Sequence, residues 1–261
     1  MNRLQKLCFI SLTMVLAEVI QLPLWASSLK TSSDAILPYG QFNLTLQGSY
    51  LHEAMGFDQK TPATHLWDAP SLNLLLGLGP LADFELHWDI FHVTQTRQEV
   101  YQDVSDVSFF TRFQIFQEGL LPSIAARLGT KLPNASDEDR AGTDLMDIYL
   151  WGILGKQMGH FHILSNIGLL LFDRADGGQR DALGYRFAIE YPFSNRWTMT
   201  SEFAGQYEKT RSPINQSLLN LEIAYQPLKT WKFFGAVSTG VIQNSENIGV
   251  HLGLTRNFHA F

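Results

Sequence analysis

A histidine and a serine near the middle of the chain have the residue types of a hydrolase. His162 is followed three residues later by Ser165, and then by Asn166. A serine hydroxyl becomes a nucleophile when a histidine within hydrogen-bond reach removes its proton. On a strand the two side chains share a face only when their spacing is even, so a spacing of three requires a bulge to bring them together. The sequence therefore disfavours a serine hydrolase site here.

Other combinations of reactive residues are also incomplete. His160 and His162 would share one face of a strand, as two metal ligands must. Asp173 and Asp176 lie too far along the chain to complete a metal site with them. The acidic run 137–139 has no adjacent histidine and is typical of a solvated loop. The sequence thus predicts no metal, no cofactor and no catalytic residue.

Charged residues at alternate positions form the largest set of reactive groups. Arg186 and Glu190 lie between Phe187, Ile189 and Tyr191, and a period of two is that of a strand with faces of opposite polarity. The same pattern recurs along the chain, and its polar face carries Asp83 and ten candidate lumen residues: Glu85, Asp89, Arg112, Arg127, Lys131, Arg186, Glu190, Glu202, Glu222 and Lys232. Both signs of charge are present. These side chains are predicted either to neutralise one another or to line a selective, water-filled path.

The elements that would carry these residues are strands of a closed sheet. Aromatic residues stand beside the turns at one end of three consecutive strands: Tyr191, Trp197, Tyr225 and Trp231. An aromatic girdle with an apolar exterior and a polar interior is typical of outer-membrane barrels. The segment 146–154 is apolar on both faces, and we place Asp147 on the inner one. We predict an all-β fold, a transmembrane antiparallel up-and-down β-barrel of about 12 strands.

The connections between the predicted strands indicate the orientation of the barrel. Short turns alternate with longer polar connections, which include 54–70 and 96–105. In barrels of this class the short turns are periplasmic and the long loops face outside. With an even number of strands, both termini are then expected in the periplasm.

The start of the chain has the pattern of an export signal. Arg3 and Lys6 precede a nearly uncharged run over 7–16, and Ala26 ends an acceptable cleavage site. We predict a signal peptide over 1–26, an N-terminal periplasmic segment over 27–35 and an outer-membrane β-barrel over 36–261. The only cysteine lies within the signal, so the mature chain is expected to have no thiol.

Composition excludes two classes of protein. The 261-residue chain has 45% hydrophobic residues and a mean hydropathy of −0.04, which is too polar for a bundle of membrane helices. Its net charge of −6 and the absence of a basic stripe in the sequence argue against nucleic acid as a partner. The predicted partners are outer-membrane lipid and lipopolysaccharide, a small-molecule solute, and the barrel assembly machinery. That machinery would recognise the C-terminal strand 247–258, through Phe258, the terminal Phe261 or both.

Three stretches of the sequence resemble a known family. They are DVSFFTRFQI at 106–115, LGTKLP at 128–133 before the acidic loop, and the stretch 129–147 that leads into paired strands. They are similar to the outer-membrane transporters associated with phenol meta-cleavage pathways and to their uncharacterised barrel relatives. The resemblance covers residues 36–258. It implies transport of small, hydrophobic compounds, and it carries no set of functional residues.

These observations together predict a passive channel or uptake porin of the bacterial outer membrane rather than an enzyme. Two alternatives from other classes stay open. A lipid-modifying outer-membrane enzyme would be favoured by a histidine and a serine paired on the inner face. A structural or surface-binding barrel without transport would be favoured by a plugged lumen with no cleft.

Overall fold

The computed structural model describes residues 30–55, 62–135, 145–173, 178–209, 215–242 and 245–259. In these ranges no helix is long and apolar enough to cross a membrane. The chain forms strands β1 (Gln41–Met55), β2 (Pro62–Gly77), β3 (Ala82–Asp89), β4 (His92–Gln95), β5 (Val100–Asp103), β6 (Val107–Phe116), β7 (Ser123–Leu132), β8 (Asp147–Met158), β9 (Phe161–Asp173), β10 (Gln179–Pro192), β11 (Trp197–Tyr207), β12 (Gln216–Leu228), β13 (Trp231–Gly240) and β14 (Ile248–His259).

Twelve of these strands close into one antiparallel barrel. Each strand of the ring pairs with the next one in the chain, except that β3 pairs with β6. β1 pairs with both β14 and β2, which joins the two edges of the sheet. Gln41 at the start of β1 lies opposite His259 at the end of β14. Closure gives every strand of the ring two neighbours, so the sheet has no free edge in the membrane. The predicted all-β barrel of about 12 strands is confirmed.

The other two strands, β4 and β5, form a hairpin that extends the wall beside β2. Residues Ser71–Gly77 of β2 pair with β3, and residues His65–Asp68 pair with β4. The prediction of a loop over 54–70 was wrong for its second half, because β2 begins at Pro62. The hairpin supplies backbone partners for this polar part of β2, and β5 likewise occupies part of the predicted loop 96–105.

The wall has two faces of opposite polarity, as β10 illustrates. Leu183, Phe187 and Ile189 are exposed on the outside, whereas Ala188 and Glu190 are buried inside. An apolar exterior of this kind is the surface that lipid covers in outer-membrane barrels. The inner face carries the residues that alternate with these apolar ones along the strand, and charged side chains such as Glu190 are among them.

One end of the barrel carries the short connections and a ring of aromatic side chains. The connections are 78–81, 117–122, 159–160, 193–196 and 229–230. Trp197 and Tyr225 stack with their ring centroids 4.5 Å apart, and Phe161 and Tyr191 stack at 5.1 Å. The start of β1 and the end of β14 lie at this same end.

Candidate functional site

The barrel interior contains a cavity of about 580 Å³. Its wall combines charged side chains such as Glu85 and Arg112 with aromatic ones such as Phe110 and Trp151. Most of the lining side chains are polar or charged, and the aromatic and aliphatic ones are fewer. A space of this size is within the range of sites for small molecules. The contacts of these groups decide which of them are free to meet a solute.

Four charged side chains on β3, β6 and β7 form a paired wall, defined as Asp83, Glu85, Arg112 and Arg127. Arg112 donates from Nε and Nη2 to the two Asp83 carboxylate oxygens, at 2.9 and 2.6 Å. Arg127 donates from Nε and Nη2 to Glu85 Oε2, at 3.2 and 3.0 Å. Charges removed from bulk water are tolerated when they are paired and hydrogen-bonded in this way. The two positive and two negative charges of the paired wall therefore balance each other.

The two candidate lysines also face carboxylates. Lys131 Nζ lies 3.2 Å from Asp106 Oδ2 and 2.9 Å from Asp147 Oδ2. Asp147 is buried and on the inner face, as the sequence analysis placed it. Lys232 Nζ lies 3.8 Å from Glu222 Oε1. These five groups are thus brought together in ion pairs.

Two candidate acids lie beside histidines that are not among the ten candidate lumen residues. Asp89 Oδ2 is 3.4 Å from His87 Nε2. Glu190 Oε2 is 2.9 Å from His162 Nδ1. A strand period of two puts His87 on the same face as Glu85 and Asp89, so the sequence contained this signal.

Residues 30–37 run inside the barrel and connect strands that lie far apart around it. Asn166 Oδ1 and Asp83 Oδ2 accept hydrogen bonds from backbone amides of this segment, at 2.7 and 2.9 Å. Glu202 accepts from two further amides of the segment. The sequence predicts a periplasmic segment over 27–35, whereas the described part of that segment lies within the barrel. It narrows the interior from the end that carries the short turns.

Asp34 anchors this internal segment to the wall. Its carboxylate accepts a hydrogen bond from Ser123 Oγ, and Oδ1 lies 3.2 Å from His162 Nε2. A Cβ atom at Gly155 would lie 2.1 Å from Asp34 Cγ, so the close approach requires glycine there. Burial opposes ionisation of Asp34, but the hydrogen bonds from His162 and Ser123 hold its pKa below the ordinary value. The anchor is therefore a charged one.

A second region of the interior is aromatic, and we define Phe110, Tyr149, Trp151 and Phe172 as the aromatic wall. The rings of Phe110 and Tyr149 stack at 5.7 Å, and Tyr149 meets Phe172 edge-on at 6.3 Å. Trp151 is buried in the same cluster. None of these side chains is among the site residues predicted from the sequence. The apolar character of both faces of 146–154 was the signal, because it requires large apolar groups inside the barrel.

Arg186 lies against the aromatic wall. Its guanidinium carbon is 3.9 Å from the centroid of the Trp151 ring, and Nη1 donates to the backbone carbonyl of Lys30. Arg127 covers Phe110 in the same manner, at 3.3 Å, but it also has its carboxylate partner. Within the described part of the chain, Arg186 forms no ion pair. It is a cation of the cavity wall whose charge is not matched by a contacting carboxylate.

The residues of the enzyme alternative do not assemble. His162 points inward to Asp34 and Glu190, while Ser165 lies between the buried Leu164 and Asn166 and so belongs to the other face. The two side chains cannot form a nucleophile and base pair without a bulge, and β9 pairs in continuous register. Among the described residues there is also no group of three or more side chains that could hold a metal ion.

A row of three side chains on β2 and β4 has the order of a catalytic triad, and the sequence analysis missed it. His92 Nδ1 meets Asp68 Oδ1, and His92 Nε2 lies 2.8 Å from Thr94 Oγ1. The even spacing of His92 and Thr94 was the available signal. However, Thr94 is only 1% exposed and does not line the cavity. A buried hydroxyl without access to a substrate fits a structural role.

Comparison with known proteins adds information on the fold. No protein-family model matches the sequence, and no curated protein matches it with significant similarity. Among solved structures, the COG4313 outer membrane channel from Pseudomonas putida F1 has a TM-score of 0.63 and 10% identity, covering 90% of this chain and 100% of that chain. The NanC porin has a TM-score of 0.55 and 8% identity, covering 82% of this chain and 98% of that chain.

The KdgM porin in complex with disordered oligogalacturonate is also similar. Its TM-score is 0.52 and its identity 13%, and the match covers 84% of this chain and 99% of that chain. Identities this low show the fold alone. The architecture is that of an outer-membrane β-barrel, of the kind found in channels and porins.

Proposed function

We propose that this protein is a passive channel of the bacterial outer membrane that takes up small molecules. The observation that carries the proposal is the cavity of about 580 Å³ inside a closed barrel. Barrels of about eight strands are filled by their side chains, whereas those of 16 to 18 strands leave an open aqueous channel. A ring of twelve strands lies between these limits, and its interior leaves space for a small solute.

In this proposal six of the ten charged candidates line the solute path and set its selectivity, with most of them paired: Glu85, Asp89, Arg112, Arg127, Arg186 and Glu190. Lys131, Glu202, Glu222 and Lys232 lie outside the cavity lining. The internal segment 30–37 makes the path narrow, which supports small conductance. The aromatic wall supports solutes with a hydrophobic part. The aromatic side chains lie beside the polar and charged ones that make up most of the lining.

The cellular context belongs to the same proposal. The chain is exported by the signal peptide 1–26 and assembled through its C-terminal strand by the barrel assembly machinery. Residues 1–29 and Phe261 lie outside the described residues. Both termini and the short turns then face the periplasm, and the longer connections face lipopolysaccharide outside. The apolar exterior supports contact with outer-membrane lipid.

Reconstitution in planar bilayers tests the channel. Folded protein, identified by different gel mobilities before and after boiling, should give small conductance steps with modest ion selectivity. Asp34→Asn weakens the anchor of segment 30–37 and should increase the conductance, because the segment then occupies the path less firmly. Ser165→Ala, on the outer face, is the matched control and should leave conductance unchanged.

Two results would contradict the proposal. Folded protein that gives no current with several salts and no uptake of neutral solutes into vesicles would favour the plugged structural barrel. Hydrolysis of phospholipid by the purified protein, abolished by His162→Ala, would favour the lipid-modifying enzyme.

A further inference from the structure

The position of Arg186 leaves most of its hydrogen-bond donors available to the cavity. Stacking on Trp151 covers a face of the guanidinium group but not its edge, where the five N–H donors lie. One donor is used by the Lys30 carbonyl, and the structure gives the others no acceptor among the described residues. The side chain lines the cavity and is only partly buried. Its free edge can therefore meet a planar acceptor such as a carboxylate.

The ring beneath Arg186 is held in place by two glycines. A Cβ atom at Gly184 would lie 2.3 Å from Trp151, and one at Gly168 would lie 2.6 Å from it. The indole therefore lies flat across β9 and β10, where no side chain intervenes. This packing fixes the plane against which the guanidinium stacks. A binding group held in advance loses less entropy when its ligand arrives.

The remaining surroundings favour an anion with an apolar part. Lys30 also lines the cavity and, like Arg186, forms no ion pair within the described ranges. Phe110, Tyr149 and Phe172 of the aromatic wall line the same cavity. Arg127 cannot serve in the same way, because Glu85 already occupies the edge of its guanidinium group. The free cationic edge and the apolar surface thus meet at one place only among the described residues.

We propose that Arg186 and Trp151 form a binding subsite for a small aromatic carboxylate. The carboxylate accepts two parallel hydrogen bonds from the guanidinium edge, and the ring of the solute packs against the aromatic wall. The inference rests on the proposed channel function and names the class of solute that this interior would select. Binding at this subsite requires both the negative charge and the aromatic ring of the solute.

Equilibrium binding of 4-fluorobenzoate to detergent-solubilised protein, followed by fluorine NMR, tests the subsite without any need for conduction. The wild-type protein should bind 4-fluorobenzoate saturably and more tightly than 4-fluorobenzyl alcohol, which has the same ring and no charge. Arg186→Gln should weaken the binding of 4-fluorobenzoate by about tenfold or more, because it removes hydrogen bonds to a charged group. Arg186→Lys keeps the charge without the planar fork, so its affinity for 4-fluorobenzoate should lie between those of the wild type and Arg186→Gln.

Arg256→Gln is the matched control. The Arg256 guanidinium also lies over an indole, at 5.0 Å from the Trp231 ring, but it is exposed on the opposite face from the buried Thr255. Its loss should leave 4-fluorobenzoate binding unchanged. Different gel mobilities before and after boiling show that each variant is folded.

The outcomes separate this inference from the channel function. Binding that is lost with Arg186→Gln in a folded protein supports the subsite, even if no current is measured in bilayers. A conducting protein that does not bind 4-fluorobenzoate, or that binds it equally well without Arg186, would overturn the subsite while the channel function stands. Equal binding of 4-fluorobenzyl alcohol would overturn it as well.

Discussion

Arg127 on β7 and Arg186 on β10 occupy the same local structure in the cavity wall, yet their contacts with carboxylates differ. Each guanidinium covers an aromatic ring, Phe110 or Trp151, and each ring lies across a glycine of a neighbouring strand. Arg127 has Glu85 as its partner, whereas the residues opposite Arg186 are Asn166 and Ala204. The stacking is therefore a common way to hold a cation inside this barrel. Whether a carboxylate lies within reach decides if the cation is structural or available to a solute.

The largest expected effect lies in the paired wall. Arg112→Leu leaves the fully buried Asp83 carboxylate without its cation and should cost about 3–5 kcal/mol of unfolding free energy. Urea titration of the protein refolded in lipid vesicles, read from gel mobility, measures this loss. The double variant with Asp83→Leu should recover part of it, since no orphan charge remains. A double variant that loses the sum of the two single losses would show that the two groups are not coupled.

The second-largest effect is expected from a substitution on the outer face of β10, next to Arg186 in the chain. It tests whether Phe187 faces lipid and Arg186 the interior. Phe187 is 44% exposed on the outside of β10, so Phe187→Arg would put a charge into hydrocarbon and should cost about 2–4 kcal/mol of unfolding free energy. The same vesicle assay measures it. Phe187→Leu is the control and should fold nearly as well as the wild type. If Phe187→Arg folds like the wild type, the strand faces the other way and Arg186 is not in the interior.

A smaller effect tests the packing beneath Arg186. Gly184→Ala puts a methyl group 2.3 Å from Trp151, and relief of this overlap should cost about 1–3 kcal/mol of unfolding free energy. It should also weaken the binding of 4-fluorobenzoate, because the indole can no longer lie flat. Gly152→Ala is the matched control, since its Cβ would meet only a backbone oxygen at 3.8 Å. Equal effects of the two substitutions would contradict a specific role of Gly184.

The smallest effect compares the two arginines directly. Arg186→Leu removes a cation–π contact and the hydrogen bond to the Lys30 carbonyl but no ion pair, so its cost in unfolding free energy should be about 1–2 kcal/mol. Arg127→Leu should cost more in the same urea titration, because Glu85 loses its cation. Equal losses for the two variants would mean that Arg186 also stabilises the barrel through a charged partner. The contrast between the two arginines would then be wrong.

The barrel itself could be predicted because its signal is local. The alternation around Phe187 and Glu190 places neighbouring residues on opposite faces of a strand, whatever the strand pairs with. Repeated along the chain, it predicted the number of strands and the alternation of short and long connections. It gave no information on the hairpin of β4 and β5 or on the early start of β2. Those depend on pairing between segments whose side chains do not alternate clearly.

What the sequence determined by itself is which face of its strand each residue occupies, because the side-chain direction follows the pleat of the backbone. The tertiary structure decided which charged groups meet. Strand register puts Asp83 opposite Arg112, and it puts Asn166 and Ala204 opposite Arg186. It also brought segment 30–37 into the interior, where Asp34 reaches His162 across 128 residues of sequence. Contacts of this kind depend on closure of the whole sheet, so no local pattern of residue types could predict them.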